Sequence, residues 1–142
     1  MNAYQELQDK QQAEFNAFPC FFAFDQKQFD EGMKKLGLKP KDTKMIYHGV
    51  GGMYYRKSDS PKLKEMMDRF DKERSEAIKA DATGEGFVLD MFKTELANHE
   101  YGYTYELDET LAAVGLTISV VKANQNLLNG LRKALEKYGV TI

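Results

Sequence analysis

The polarity pattern changes period several times along the chain, and each change marks an element. Residues 2–17 are polar, with Tyr4, Leu7 and Phe15 on one side at helical spacing, which predicts an amphipathic helix. "PCFFAF" (19–24) then breaks into a short, wholly apolar, aromatic run, the pattern of a buried strand. Asp25 followed by Gln28 has the spacing of a capping box. Phe29, Met33 and Leu36 return to the helical period, and Gly37 with Leu38 ahead of Pro40 supplies a Schellman-type stop.

Between residues 43 and 59, "TKMIYHGVGGMYYRKSD" places two β-prone runs on either side of a glycine-rich turn. This predicts a hairpin with strands near 44–49 and 53–57. Ser60 then stands as the cap of a helix with Pro61 in its first turn, running to about Ala82. A second helix is expected from near Gly86 to about His99. The alternation of Tyr101, Tyr103 and Tyr105 with smaller residues reads as a strand over 101–106. Asp108 caps a short helix stopped by Gly115, and a last helix spans about Asn124 to Tyr138. The class is α+β: about five helices packed on a small antiparallel sheet that includes a β-hairpin.

Two of these helices carry ionisable groups where a core face should be. On an ideal wheel of about 100° per residue, Glu95 and His99 fall inside the arc of Phe87, Val88, Met91, Phe92 and Leu96. They are four residues apart, so their side chains can touch. On the preceding helix, Arg74 and Asp81 lie near the centre of the stripe formed by Leu63, Met66, Met67, Phe70, Ala77 and Ile78. An unpaired buried charge costs several kcal/mol, so a network is expected in which Arg74 pairs with Glu95 or Asp81 and His99 hydrogen-bonds Glu95. Three readings compete for it. One is a polar cluster that fixes helix register. Another is an acid–base site in which a carboxylate orients an imidazole. The third is a pair of metal ligands, for which Glu-x-x-x-His supplies two of the three or four needed. The only other histidine, His48, is in the hairpin, and no metal site or cofactor is assigned.

With 142 residues, 42% hydrophobic and 30% charged, the chain suits a single globular domain, 1–142. No apolar run reaches the roughly 18–20 residues of a membrane helix, and the first residues lack the layout of a signal peptide. The one cysteine, Cys20, precludes an internal disulfide framework, and a cytoplasmic location is expected. Net charge is −2, which argues against a protein built to grip phosphate backbones, and a nucleic-acid partner is not expected. The charge is unevenly placed. From Asp81 to Glu109 there are eight acidic residues and one basic, Lys93. Glu100, Glu106, Asp108 and Glu109 surround Tyr101, Tyr103 and Tyr105, so an aromatic patch with an acidic rim is a candidate docking surface for a basic partner.

Two smaller features remain. "HGVGGM" (48–53) is glycine-rich but is followed by a strand, whereas phosphate-binding loops lead into a helix, so a hairpin turn accounts for it. Tyr54 and Tyr55 with Arg56 and Lys57 have the residue types that stack bases, although one tyrosine of an adjacent pair in a strand must face outward in any case.

"FFAFDQKQFDEG", "GEGFVLDMFKTELANHEYGYTY" and "DETLAAVGLT" together resemble a family of small uncharacterised proteins from gut bacteria, phages and other mobile elements. The resemblance covers residues 20–138 and implies context only, because that family has no established activity to transfer. Small proteins of such elements often bind and inhibit host machinery, defence systems included. The expectation is therefore a small interaction protein, an inhibitor or modulator of a host protein with a basic surface, docking through roughly Glu95 to Glu109. Whether it self-associates is left open. The alternative is a small-molecule-binding protein or enzyme centred on Glu95, His99, Arg74 and Asp81. An enzymatic role stays undecided, with the balance against it, since no complete catalytic constellation is legible.

Overall fold

A computed structural model describes residues 2–142, residue 50 by its backbone alone. The described residues form eight α-helices and three short strands: α1 (Ala3–Asn16), β1 (Cys20–Phe22), α2 (Gln26–Lys35), β2 (Ile46–His48), β3 (Met53–Arg56), α3 (Ser60–Ala80), α4 (Phe87–Asn98), α5 (Tyr101–Thr104), α6 (Asp108–Ala113), α7 (Ile118–Ala123) and α8 (Gln125–Leu135). This is the α+β class, with the helical share cut into more and shorter pieces than the sequence pattern suggests. No helix among the described residues is long and apolar enough to cross a membrane. The chain divides into two compact units, one of Gln11–Asp71 and the other of the chain up to Lys10 with Lys72–Ile142; the division falls within α1 and α3.

The first unit holds the sheet, antiparallel throughout, in the order β1-β3-β2. The glycine-rich turn closes the β2–β3 hairpin, with Gly51 and Gly52 at φ of 71° and 80°, a left-handed region that a side chain disfavours. Helix α2 begins as its sequence predicts: Asp25 accepts from the Gln28 N–H at 2.7 Å, while the Gln28 side chain accepts from the Phe24 N–H. It ends in a Schellman motif, in which the Leu38 N–H donates to Met33 O and the Gly37 N–H to Lys34 O. Gly32 lets α2 approach the sheet, because a Cβ there would collide with the Phe21 ring. Phe21, Ala23, Met33, Leu36 and Ile46 make this unit's core, with Phe29 and Tyr54 packed against it. Asp59, buried, takes the Arg56 Nε at 2.7 Å, and the same guanidinium reaches Leu36 O. Ser60 is not a cap; it is already helical and follows a 3-10 turn over Lys57–Asp59.

The second unit is built around α4. Val88, Met91, Phe92 and Leu96 are fully buried, packed with Leu127, Leu131, Ala134 and Leu135 of α8 and with Tyr4 of α1. Gly130 permits the close crossing, since a Cβ there would lie 2.5 Å from Val88 Cγ1 and 2.7 Å from Gly84 O. The strand predicted over 101–106 is instead the one-turn helix α5, and α7, unassigned from the sequence, is capped by the Thr117 hydroxyl accepting from the Val120 N–H.

Candidate functional site

Glu95 is 4% exposed and sits on the buried side of α4. Its Oε1 accepts from the Tyr4 hydroxyl at 3.1 Å, from Asn98 Nδ2 at 3.2 Å and from Gln8 Nε2 at 3.3 Å. Its Oε2 faces His99 Nε2 at 3.3 Å. Three donors thus converge on Oε1 of one buried carboxylate, while the His99 ring nitrogen lies against Oε2. Glu95 and His99 meet as their i, i+4 spacing on α4 predicts, at ion-pair distance. Tyr4 and Gln8 were not foreseen as partners; the available signal was a phenol on the apolar side of α1, which needs an acceptor when buried. Burial, and then the charge and hydrogen bond of Glu95, push the Tyr4 hydroxyl well above its ordinary pKa, against a smaller lowering by Arg74.

His99 is the C-cap of α4, and its ring stays partly in solvent with Nδ1 3.6 Å from Glu109 Oε2. Its imidazole therefore stands between two carboxylates, one buried and one exposed. Asp81 is drawn elsewhere. Its carboxylate accepts from the N–H groups of Gly84 (3.2 Å), Gly86 (3.0 Å) and Val88 (2.9 Å), shaping the α3–α4 turn and capping the N-terminus of α4. Val88 and Glu95 are seven residues apart on the helix, about 10 Å along its axis, so Asp81 and His99 mark opposite ends of α4. The Arg74 guanidinium approaches Gly115, whose Cβ would lie 3.0 Å from Nη2. The positive charge of Arg74 also acts on the Tyr4 hydroxyl, which donates to Glu95. Asp81 thus stands apart from the Glu95–His99 pair, and among the described residues no three His, Cys, Asp or Glu side chains converge as a metal site requires.

The acidic, tyrosine-rich segment has a different geometry from the one expected. Tyr101, Tyr103 and Tyr105 do not share a side. Tyr101 is 3% exposed, its ring edge-on to Tyr138 at 5.0 Å and to Tyr105 at 5.4 Å. Tyr103, by contrast, is 88% exposed and Tyr105 57%. One helical turn achieves this separation where a strand would not, because successive residues rotate by about 100°. That turn is bracketed by Glu100 (φ 53°) and Tyr105 (φ 54°), the only non-glycine residues with positive φ among those described. Each such residue costs on the order of 1–2 kcal/mol and persists only where its surroundings demand it. Tyr101 supplies the anchor. The Glu106 N–H returns to the Thr104 hydroxyl at 3.2 Å, and α6 follows with Asp108 and Glu109 in its first turn, where carboxylates are favoured by the helix dipole. Glu100, Glu106, Asp108 and Glu109, which flank the two outward tyrosines along the chain, are all exposed.

The model of a family of unknown function matches residues 3–137. No curated protein and no solved structure matches the chain.

Proposed function

We propose a protein-docking role for this chain, which belongs to the family of unknown function DUF7659 and so takes no activity from its relatives. The docking surface is the α5–α6 segment: Tyr103 and Tyr105 as contact rings, and Glu100, Glu106, Asp108 and Glu109 as the rim that steers a basic partner. The observation that carries this reading is a large aromatic ring, 88% exposed, held out on a one-turn helix with a left-handed non-glycine residue at each end. Such strain clusters where a fixed shape is used, and aromatic rings dominate binding hot spots. In the setting that the family resemblance implies, the partner is a host protein that a mobile element restrains. The alternative centre at Glu95, His99, Arg74 and Asp81 draws less support, because Asp81 is committed to the backbone N–H groups at the start of α4, away from His99 at its end.

A photo-reactive phenylalanine analogue in place of Tyr103 identifies the partner by cross-linking in the producing cell. Its affinity is then measured with variants. Tyr103→Ala should weaken binding about tenfold or more. Charge reversal at Glu106 and Asp108 should slow association and flatten its salt dependence, with dissociation little changed. An affinity indifferent to all three changes would eliminate this surface.

A further inference from the structure

The adjacent tyrosines of β3 are separated by the pleat. Register sets Phe21, Tyr54 and His48 in one cross-strand row, on the face whose core residues meet α2. The neighbouring row, Cys20, Tyr55 and Tyr47, lies on the opposite face, with Phe22 and Met53 one row further along. That second face exposes a ring on each outer strand, Phe22 at 51% and Tyr47 at 45%, while Tyr55 between them is half-buried with Phe18 edge-on to it. The two stand on the outer strands, two strand spacings and one two-residue step apart, roughly 12 Å. They cannot share one flat ligand, but they can hold separate ones on a single extended molecule.

Positive charge borders the same face. Lys57 Nζ lies over the Tyr47 ring, 5.1 Å from its centroid. Lys35 lines a hollow of about 500 Å³ together with Phe18, Cys20 and Phe22. Between residues 34 and 64 the chain carries nine basic side chains against two acidic ones, Asp42 and Asp59. Asp59 is buried against Arg56 and adds little to the outward field. The whole-chain net charge of −2 conceals this, because it sums a basic stretch with the acidic one at 81–109.

We propose that this sheet face binds single-stranded nucleic acid, with bases stacked on Phe22 and on Tyr47, from whose ring the Lys57 ammonium swings to a phosphate, and with a further phosphate drawn to Lys35. Exposed rings beside lysines on an open sheet are what sequence-tolerant strand binding requires, since every base has a face to stack. A face shaped for a protein partner would be depleted in lysine. Duplexes have their bases already stacked and offer the rings nothing. Neither the rings nor the lysines read a 2′-hydroxyl, so DNA and RNA strands bind alike. This inference does not rest on the α5–α6 reading: it concerns the other unit, and either can fail alone.

The test is fluorescence anisotropy on the full chain with labelled oligothymidylate and oligouridylate of about 12 nucleotides, and with a duplex of equal length, over a salt series. Both strands should bind within a few-fold of each other and more tightly than the duplex. Tyr47→Ala should weaken binding about tenfold, and Tyr47→Phe should retain it. Lys57→Gln should reduce the logarithmic salt slope by about 0.7. Far-ultraviolet circular dichroism and the urea midpoint check that each variant is folded; where Tyr47→Ala is not, Phe22→Ala replaces it. Absence of saturable binding at about 50 mM salt overturns the proposal. So does preference for the duplex, or affinity unchanged when the rings are removed, which would leave only non-specific charge.

Discussion

Replacing Glu95 by alanine removes an acceptor that is 4% exposed, receives Tyr4, Gln8 and Asn98, and faces the His99 ring. The loss is unevenly spread. Gln8 and Asn98 lie in exposed positions and can turn to water, whereas Tyr4 is 4% exposed and cannot. Most of the cost is therefore one hydrogen bond to a charged acceptor, about 1.5–3 kcal/mol, with a buried hydroxyl left unsatisfied. A carboxylate that no longer needs desolvating offsets part of this. The net expectation is a destabilisation of about 2 kcal/mol, a fall in Tm of roughly 6 °C for a chain of this length. Urea unfolding of the parent, Tyr4→Phe, Glu95→Ala and the double variant closes a thermodynamic cycle, and a Tyr4–Glu95 coupling of about 1–2 kcal/mol is expected. The pH dependence gives a second readout. Burial and Glu95 raise the Tyr4 hydroxyl in the folded state, so above about pH 10 the unfolded chain releases a proton that the folded chain keeps. The contribution is fully present below that pH and is lost as pH rises beyond it, by at most about 1.4 kcal/mol per pH unit. The parent should lose stability between about pH 9.5 and 11 more steeply than Tyr4→Phe. Additive effects in the cycle, or identical alkaline profiles for parent and Tyr4→Phe, would refute the Tyr4–Glu95 link.

Asp81→Ala should cost about 1–2 kcal/mol, since the Gly86 and Val88 N–H groups lose their acceptor, while Asp81→Asn, which keeps one oxygen, should cost less; urea midpoints measure both. Glu100→Gly should raise stability by about 1 kcal/mol, because glycine adopts φ 53° without a Cβ penalty; thermal and urea unfolding measure the gain. If the α5–α6 surface docks a partner, the same change should weaken that binding by loosening the presentation of Tyr103, a stability gain paired with an affinity loss.

Local chemistry made much of this fold legible. The Asp25–Gln28 cap and the Gly37–Leu38 stop were readable because both motifs are completed by residues within a few positions of each other. The hairpin follows from β-prone runs around glycines that supply positive φ. Glu95 and His99 meet because the helical period puts them one turn apart. What failed was long-range or locally disfavoured. The tyrosines of 101–105 alternate like a strand, yet the segment is a helix with Glu100 and Tyr105 in conformations their own propensity opposes. Packing decides that: Tyr101 is anchored on Tyr138, far along the chain, and the anchor outweighs the local preference. Likewise Asp81 lies on an apolar stripe by angle, but the turn after α3 brings the N–H groups of Gly84, Gly86 and Val88 to its carboxylate. By itself, the sequence determined elements whose hydrogen bonds close within a turn and the faces those elements bury. Only the tertiary structure decided which donor reaches each buried carboxylate and which tyrosine faces water, because periodicity sets a side chain's direction and the packed neighbours set what it meets.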